Sequence, residues 1–178
     1  MSLELSTMQI STEQAEAAAA LIADAGGVII GFTKIQKLAY LLEISGEGAG
    51  FRFENRGSGP FSEELSAALE TARNFGLITI EERSTTPGNF YTVYEAEIDS
   101  GSQSVSEQRR RVIEAAMETS PVTLEVATTA AWLASEQVGD PWGETARLKP
   151  AKATDKRIVE ARRLMDSLSA VPALCALA

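Results

Sequence analysis

The chain has 178 residues, 44% of them hydrophobic, and a formal net charge of −9, which suits one packed domain, or a small domain with an appendage, and excludes global disorder. That charge repels nucleic acid and anionic membrane at long range. With no histidine and one cysteine, Cys175, the chain lacks the commonest general base, any thiolate–imidazole pair, an ordinary structural zinc site and an internal disulfide, and a reducing cytoplasm is the simpler setting.

Residues 1–11 have neither the basic start nor the apolar stretch of a signal peptide, and no apolar run is long enough to span a membrane. A first helix is expected over about residues 12–25, opened by a Ser11/Gln14 capping box and stopped by Gly26–Gly27. Val28 to Ile30 reads as a very short buried strand. Thr33 and Gln36 form a second capping box before a helix reaching about Ser45, with Ile35, Leu38, Ala39 and Leu42 on one apolar face. "GEGAG" (Gly46 to Gly50) is a loop, and "FRFEN" alternates like a short strand.

Gly59–Pro60 suggests a tight turn before Ser62, which caps a third helix with Glu63 and Glu64 in its first turn, where the helix dipole favours acids. Leu65, Ala68, Leu69 and Ala72 make its buried stripe, and Gly76 ends it. "LITIEER" and "NFYTVYEAEI" flank a turn at Pro87–Gly88 and so predict a β-hairpin. Helix, short strand, helix, helix, strand, strand is the order of a winged helix, the helix-turn-helix variant with a β-hairpin wing. The expected fold is therefore α+β, with a winged-helix domain over residues 1–98.

"DSGSQS" (Asp99 to Ser104) is a polar junction. Residues 104–178 read as a helical part packed on the first. Ser104 and Glu107 form a capping box, and Val112, Ile113 and Ala116 mark the inner side of the helix that follows. Ser120–Pro121 starts a helix with Leu124, Ala127, Ala131 and Ala134 inward. "DPWGETARLKP" is a short helix or turn ending at Pro150. Thr154 caps a last helix bearing Ile158, Ala161, Met165 and Leu168 on one face.

Three stretches invite a functional reading. "GSGPFS" precedes a helix N-terminus, where free amides attract anions, yet it lacks the Gly-Lys-Ser/Thr ending of a phosphate loop and reads as a turn and a cap. The third helix, as a DNA-reading element, would present Glu63, Glu64 and Glu70 against one base, Arg73, and phosphates would repel that face. The connection before it also exceeds the short turn of a DNA-binding helix-turn-helix. Arg109 to Arg111 are splayed around a helix. Lys149, Lys152, Lys156, Arg157, Arg162 and Arg163 make the C-terminal part the most basic region, read as a solvated face. The aromatics Phe51, Phe53, Phe90, Tyr91, Tyr94, Trp132 and Trp142 are assigned to core or wing packing. The apolar tail from Val171 to Ala178 is read as a packing segment or dimer contact. No spacing suggests a carboxylate pair, a metal cluster or a cofactor site, so no catalytic, metal or cofactor-binding residue is assigned and the chain is expected not to be an enzyme.

"KIQKLAYLLE" followed by "FRFENRGSGPFSEELSAALETARNFGLI" resembles the YwgA-type family of prokaryotic proteins. The matching positions are Lys37, Leu38, Tyr40, Phe51, Phe53, Gly59, Pro60, Phe61, Ser62, Leu65, Leu69, Gly76, Leu77 and Ile78. "LEVATTAAWL" and "LKP" are similar to that family's C-terminal helices. The family usually places an aromatic just before Gly-Pro, where this chain has Ser58. The helix-loop-"GP" arrangement is more distantly similar to Panacea-type antitoxin domains, which neutralise toxins by protein contact. The resemblance bears on the fold more than on the function; the chain is read as a non-catalytic protein-interaction module, antitoxin-like or an adaptor, whose partner is another protein and which can form a homodimer. Arg52, Arg56, Ser58 and Arg73, around the third helix and the loop before it, are its expected interaction surface. The alternative is a dimeric DNA-binding regulator with a basic C-terminal face; nucleic acid is the less favoured partner, and no membrane is expected.

Overall fold

The computed structural model describes residues 2–97 and 105–168, and within the first helix the side chains from Thr12 onward. Over these residues the chain is mixed α+β, with seven helices and a small antiparallel sheet. In order they are α1 (Ser2–Asp24), β1 (Val28–Ile30), α2 (Phe32–Ile44), β2 (Glu54–Arg56), β3 (Gly59–Phe61), α3 (Glu63–Asn74), β4 (Ile78–Thr86) and β5 (Asn89–Ala96), then α4 (Glu107–Glu118), α5 (Pro121–Ser135), α6 (Pro141–Leu148) and α7 (Asp155–Ser167). No helix among the described residues is long and apolar enough to cross a membrane.

The sheet has the order β1-β5-β4. Ile29 lies opposite Tyr94, which in turn lies opposite Ile80, so one face of the sheet carries Ile29, Ile78 and Tyr94 into the core. Side chains alternate along a strand, and Val28 and Ile30 therefore stand exposed on the other face. The expected buried strand is buried only at its middle residue. The long β4–β5 hairpin turns at Pro87–Gly88 as expected, with a register shift between Ser84 and Thr86. Phe90 near its tip is 65% exposed, which corrects its assignment to packing.

α2 occupies the centre of the molecule. It touches β1, β3, α4 and α5, and every residue from Ile35 to Leu42 is buried, whatever its polarity. Tyr40 stacks edge-on to Phe53 and faces Trp132 of α5 at 6.1 Å between ring centroids. α5 is equally enclosed, buried without interruption from Thr123 to Ala131.

Several boundaries differ from expectation for identifiable reasons. α1 continues through Ser11 and Gln14 to Ser2, so that capping pattern lies inside a helix. α2 is capped by Gly31 at φ 97°, which has no side chain to cap with; the helix starts at Phe32, so Thr33, the expected cap, lies inside it, and Gln36 bonds the Ser62 backbone instead. Ser106 caps α4 by accepting from the Arg109 amide, while Ser104 lies outside the described residues. Ser62, Ser120 and Thr154 cap their helices as expected. The junction at Asp99 to Ser104 and the tail with Cys175 also lie outside the described residues.

The largest difference is local. "ENRGSGPF" forms a small hairpin, β2 against β3, with Glu54 opposite Phe61 and Arg56 opposite Gly59. The turn falls at Gly57–Ser58, and Gly59–Pro60, expected as the turn, belongs to the returning strand. The expected strand from Phe51 to Asn55 is thus displaced toward the glycines.

Candidate functional site

The β2–β3 hairpin sits between α2 and α3 in sequence and packs on α2 and α5. Its inner side is pinned by two successive residues of α2. Gln36 donates from Nε2 to the Ser62 carbonyl at 3.0 Å and accepts from the Ser62 amide at 2.9 Å. Lys37 donates from Nζ to the Pro60 carbonyl at 2.6 Å. Ser62 in turn accepts from the Leu65 amide. Two of the amides at this helix start, those of Ser62 and Leu65, are therefore already occupied. "GSGPFS" is the clamped end of a hairpin leading into a capped helix.

Beneath the hairpin lies a cluster of charges that periodicity alone hides. Glu125 of α5, buried, accepts from Lys149 at 2.8 Å and from Lys152 at 2.9 Å on Oε1, and from Lys152 at 2.8 Å on Oε2. Lys149 also donates to the Gly57 carbonyl at 2.6 Å. Lys37, 2% exposed, completes the group. Lys149 and Lys152 thus clamp Glu125; burial of Lys149 corrects its reading as part of a solvated face, while Lys152 stays 47% exposed. Arg109 is similarly internal, donating to Asp24 at 2.8 Å and to the Glu47 carbonyl at 2.6 Å.

Burial pushes the Lys37 ammonium down to about 8, with Glu125 opposing the shift and Lys149 and Lys152 adding to it. The two lysines hold the Glu125 carboxyl below the ordinary carboxylate range against the effect of burial. The Lys37 shift gives a pH dependence of definite sign. Between about 8 and the ordinary 10.5 the unfolded chain keeps a proton that the folded chain has shed, so stability rises with pH. Below that window both states are charged and the folded state carries the full burial penalty. Lys34, lowered by burial, acts in the same direction. Tyr40 and Tyr94, both raised to about 12 by burial, reverse the trend once unfolded tyrosines ionise near pH 10. Urea midpoints at steps from pH 7.5 to 9.5 are expected to climb for the native chain and to climb less for Lys37→Met.

The outer side of the hairpin carries most of the residues expected to form an interaction surface. Arg56 stacks over the Phe61 ring at 4.3 Å, and Phe61 lies 5.8 Å from Phe32, which is 42% exposed. Arg56 also pairs with Glu54 at 3.0 Å and Glu63 at 2.6 Å. Arg52 pairs with Glu64 at 2.5 Å, and its amide donates to the same carboxylate. Ser58 is exposed at the hairpin turn. Arg73 stands apart: it pairs with Glu70, ten residues and roughly 15 Å along α3 from Glu63. The structure thus gathers Arg52, Arg56 and Ser58 on or beside one hairpin and leaves Arg73 at the far end of the helix. It adds Phe32 and Phe61, which spacing did not single out as surface residues.

No family model matches the chain, and no curated protein or solved structure matches it. Among the described residues there is no group of three or more acids or cysteines placed to hold a metal ion. The buried carboxylate, Glu125, is saturated by lysines.

Proposed function

We propose that this chain is a non-catalytic protein-interaction module of winged-helix type, antitoxin-like or an adaptor, that engages another protein through the outer side of the β2–β3 hairpin. The observation that carries this reading is the exposed Phe32–Phe61–Arg56 group. Aromatic residues and arginine are the side chains enriched in the cores of protein interfaces. The resemblance to the YwgA-type family and, more distantly, to Panacea-type antitoxin domains supports the same class. So does α3, the helix that would read bases in a DNA-binding winged helix: its arginine and the neighbouring hairpin arginines are all neutralised by glutamates of the same segment. A three-stranded antiparallel sheet with a long terminal hairpin supports the wing.

A dimeric DNA-binding regulator is the second reading, favoured by α7, where Lys156, Arg162 and Arg163 are exposed. A tagged pull-down from nuclease-treated lysate of the native host separates the two. A stoichiometric protein partner that is captured by the native chain and lost with Phe32→Glu and with Arg56→Glu is the expected result. Recovery of nucleic acid alone from untreated lysate, with duplex binding that collapses on adding salt, would overturn the first reading in favour of the second.

A further inference from the structure

A cleft opens between the tip of the β2–β3 hairpin, the middle of α5 and the end of α6, lined by Asn55, Arg56, Gly57, Thr129, Leu148 and Lys149. Three ammonium groups converge behind it, Lys37, Lys149 and Lys152, and the carboxylate among them is Glu125. In a protein of net charge −9 this is a local excess of positive charge; Lys37 and Lys149 are buried, where screening is weak, while Lys152 is 47% exposed. An ammonium has three donors. Lys149, which lines the cleft, uses two of them, on Gly57 and Glu125, which leaves one N–H with no acceptor among the described residues. Arg56, also in the lining, pairs with Glu54 and Glu63.

We propose that this cleft binds an oxyanion, a carboxylate or a phosphate group, with Lys149 as its main contact and Arg56 and Asn55 also in its lining. The third N–H of Lys149 gives such a group a charge-assisted hydrogen bond, and the excess charge around Glu125 favours an anion over a neutral ligand. Thr129 contributes shape; its hydroxyl already donates to the Glu125 carbonyl at 2.7 Å. This inference shares Arg56 with the protein-binding reading but concerns the cleft at Lys149 rather than the outer aromatic side of the hairpin.

The test is an amide-resonance titration of the full chain with sodium phosphate and, in parallel, sodium acetate, with sodium chloride at matched ionic strength as the reference. Saturable shifts at residues 55–57 and 129 with at least one of the two anions, absent with chloride, are the expected result. The anion that saturates the site identifies the class of ligand. Lys149→Met should abolish saturation. Because that change also removes a hairpin clamp, Arg56→Gln, whose ion pairs lie at the surface, is the companion variant and should weaken the apparent affinity about threefold to tenfold. Shifts that never saturate, shifts that chloride reproduces, or a titration curve unmoved by Arg56→Gln would each overturn the proposal.

Discussion

Replacing Glu125 with alanine is expected to destabilise the protein by about 3–5 kcal/mol, the cost of removing one partner from a buried ion cluster. The carboxylate is the acceptor for Lys149 and Lys152 and the nearest counter-charge for Lys37. Without it Lys37 and Lys149 are left as buried ammonium groups without a carboxylate between them, while Lys152, 47% exposed, can turn to water. Lys37 and Lys149 also hold the Pro60 and Gly57 carbonyls, so the loss should spread to the hairpin. Chemical denaturation gives the measurement directly. Glu125→Gln, which keeps the shape and one acceptor, should fall between alanine and the native residue. Glu16→Ala, an exposed acid on α1, should stay within about 0.5 kcal/mol. Equal effects for Glu125→Ala and Glu16→Ala would show that the cluster contributes nothing to stability.

Gly59→Ala is expected to cost about 3 kcal/mol, combining backbone strain with a steric conflict. Gly59 adopts φ +86°, a conformation that side-chain-bearing residues rarely take. A Cβ there would stand 2.6 Å from Thr129 Oγ1, and Thr129 is buried with that oxygen bonded to the Glu125 carbonyl. Neither neighbour can retreat without breaking α5 or the hairpin. Gly57, two residues earlier, provides the control: an added Cβ meets nothing within 4 Å and no positive φ is involved. Gly57→Ala should therefore be nearly neutral in the same denaturation assay. If the two substitutions prove alike, the tight approach of β3 to α5 is not maintained in solution.

The parts of this fold that were legible in the sequence are those where pattern and capping agree. Ser62 followed by Leu65, Ala68, Leu69 and Ala72 defines α3 because one cap and one apolar stripe specify the same helix. Ser120–Pro121 and Pro87–Gly88 work the same way, each fixing a boundary by backbone chemistry. The candidate site was less legible because its residues are polar groups placed where periodicity expects none. α2 and α5 are enclosed on all sides, so Gln36, Lys37 and Glu125 are buried without belonging to an apolar face. One sign was present: Glu125 is the sole charged residue in the fifteen of α5, and an isolated acid in an apolar helix must find a cation. Gln36 shows the converse error. Its spacing from Thr33 fits a capping box, but the nearby Ser62 backbone offers it both a donor and an acceptor. The β2–β3 hairpin escaped notice because three-residue strands carry too little alternation to register.

β4 runs for nine residues at one side of the sheet. Its outer backbone has no strand beside it among the described residues, and such a row of open amides and carbonyls invites pairing between molecules. Glu81, Glu82 and Arg83 interrupt that row with charge, and Arg83 is itself fixed between Glu81 and Glu95. Crowding two copies edge to edge would bring these acids together and strip their water. The β4–β5 hairpin thus carries charge that opposes edge-to-edge pairing, and substitutions that neutralise these three positions are expected to favour intermolecular β-structure.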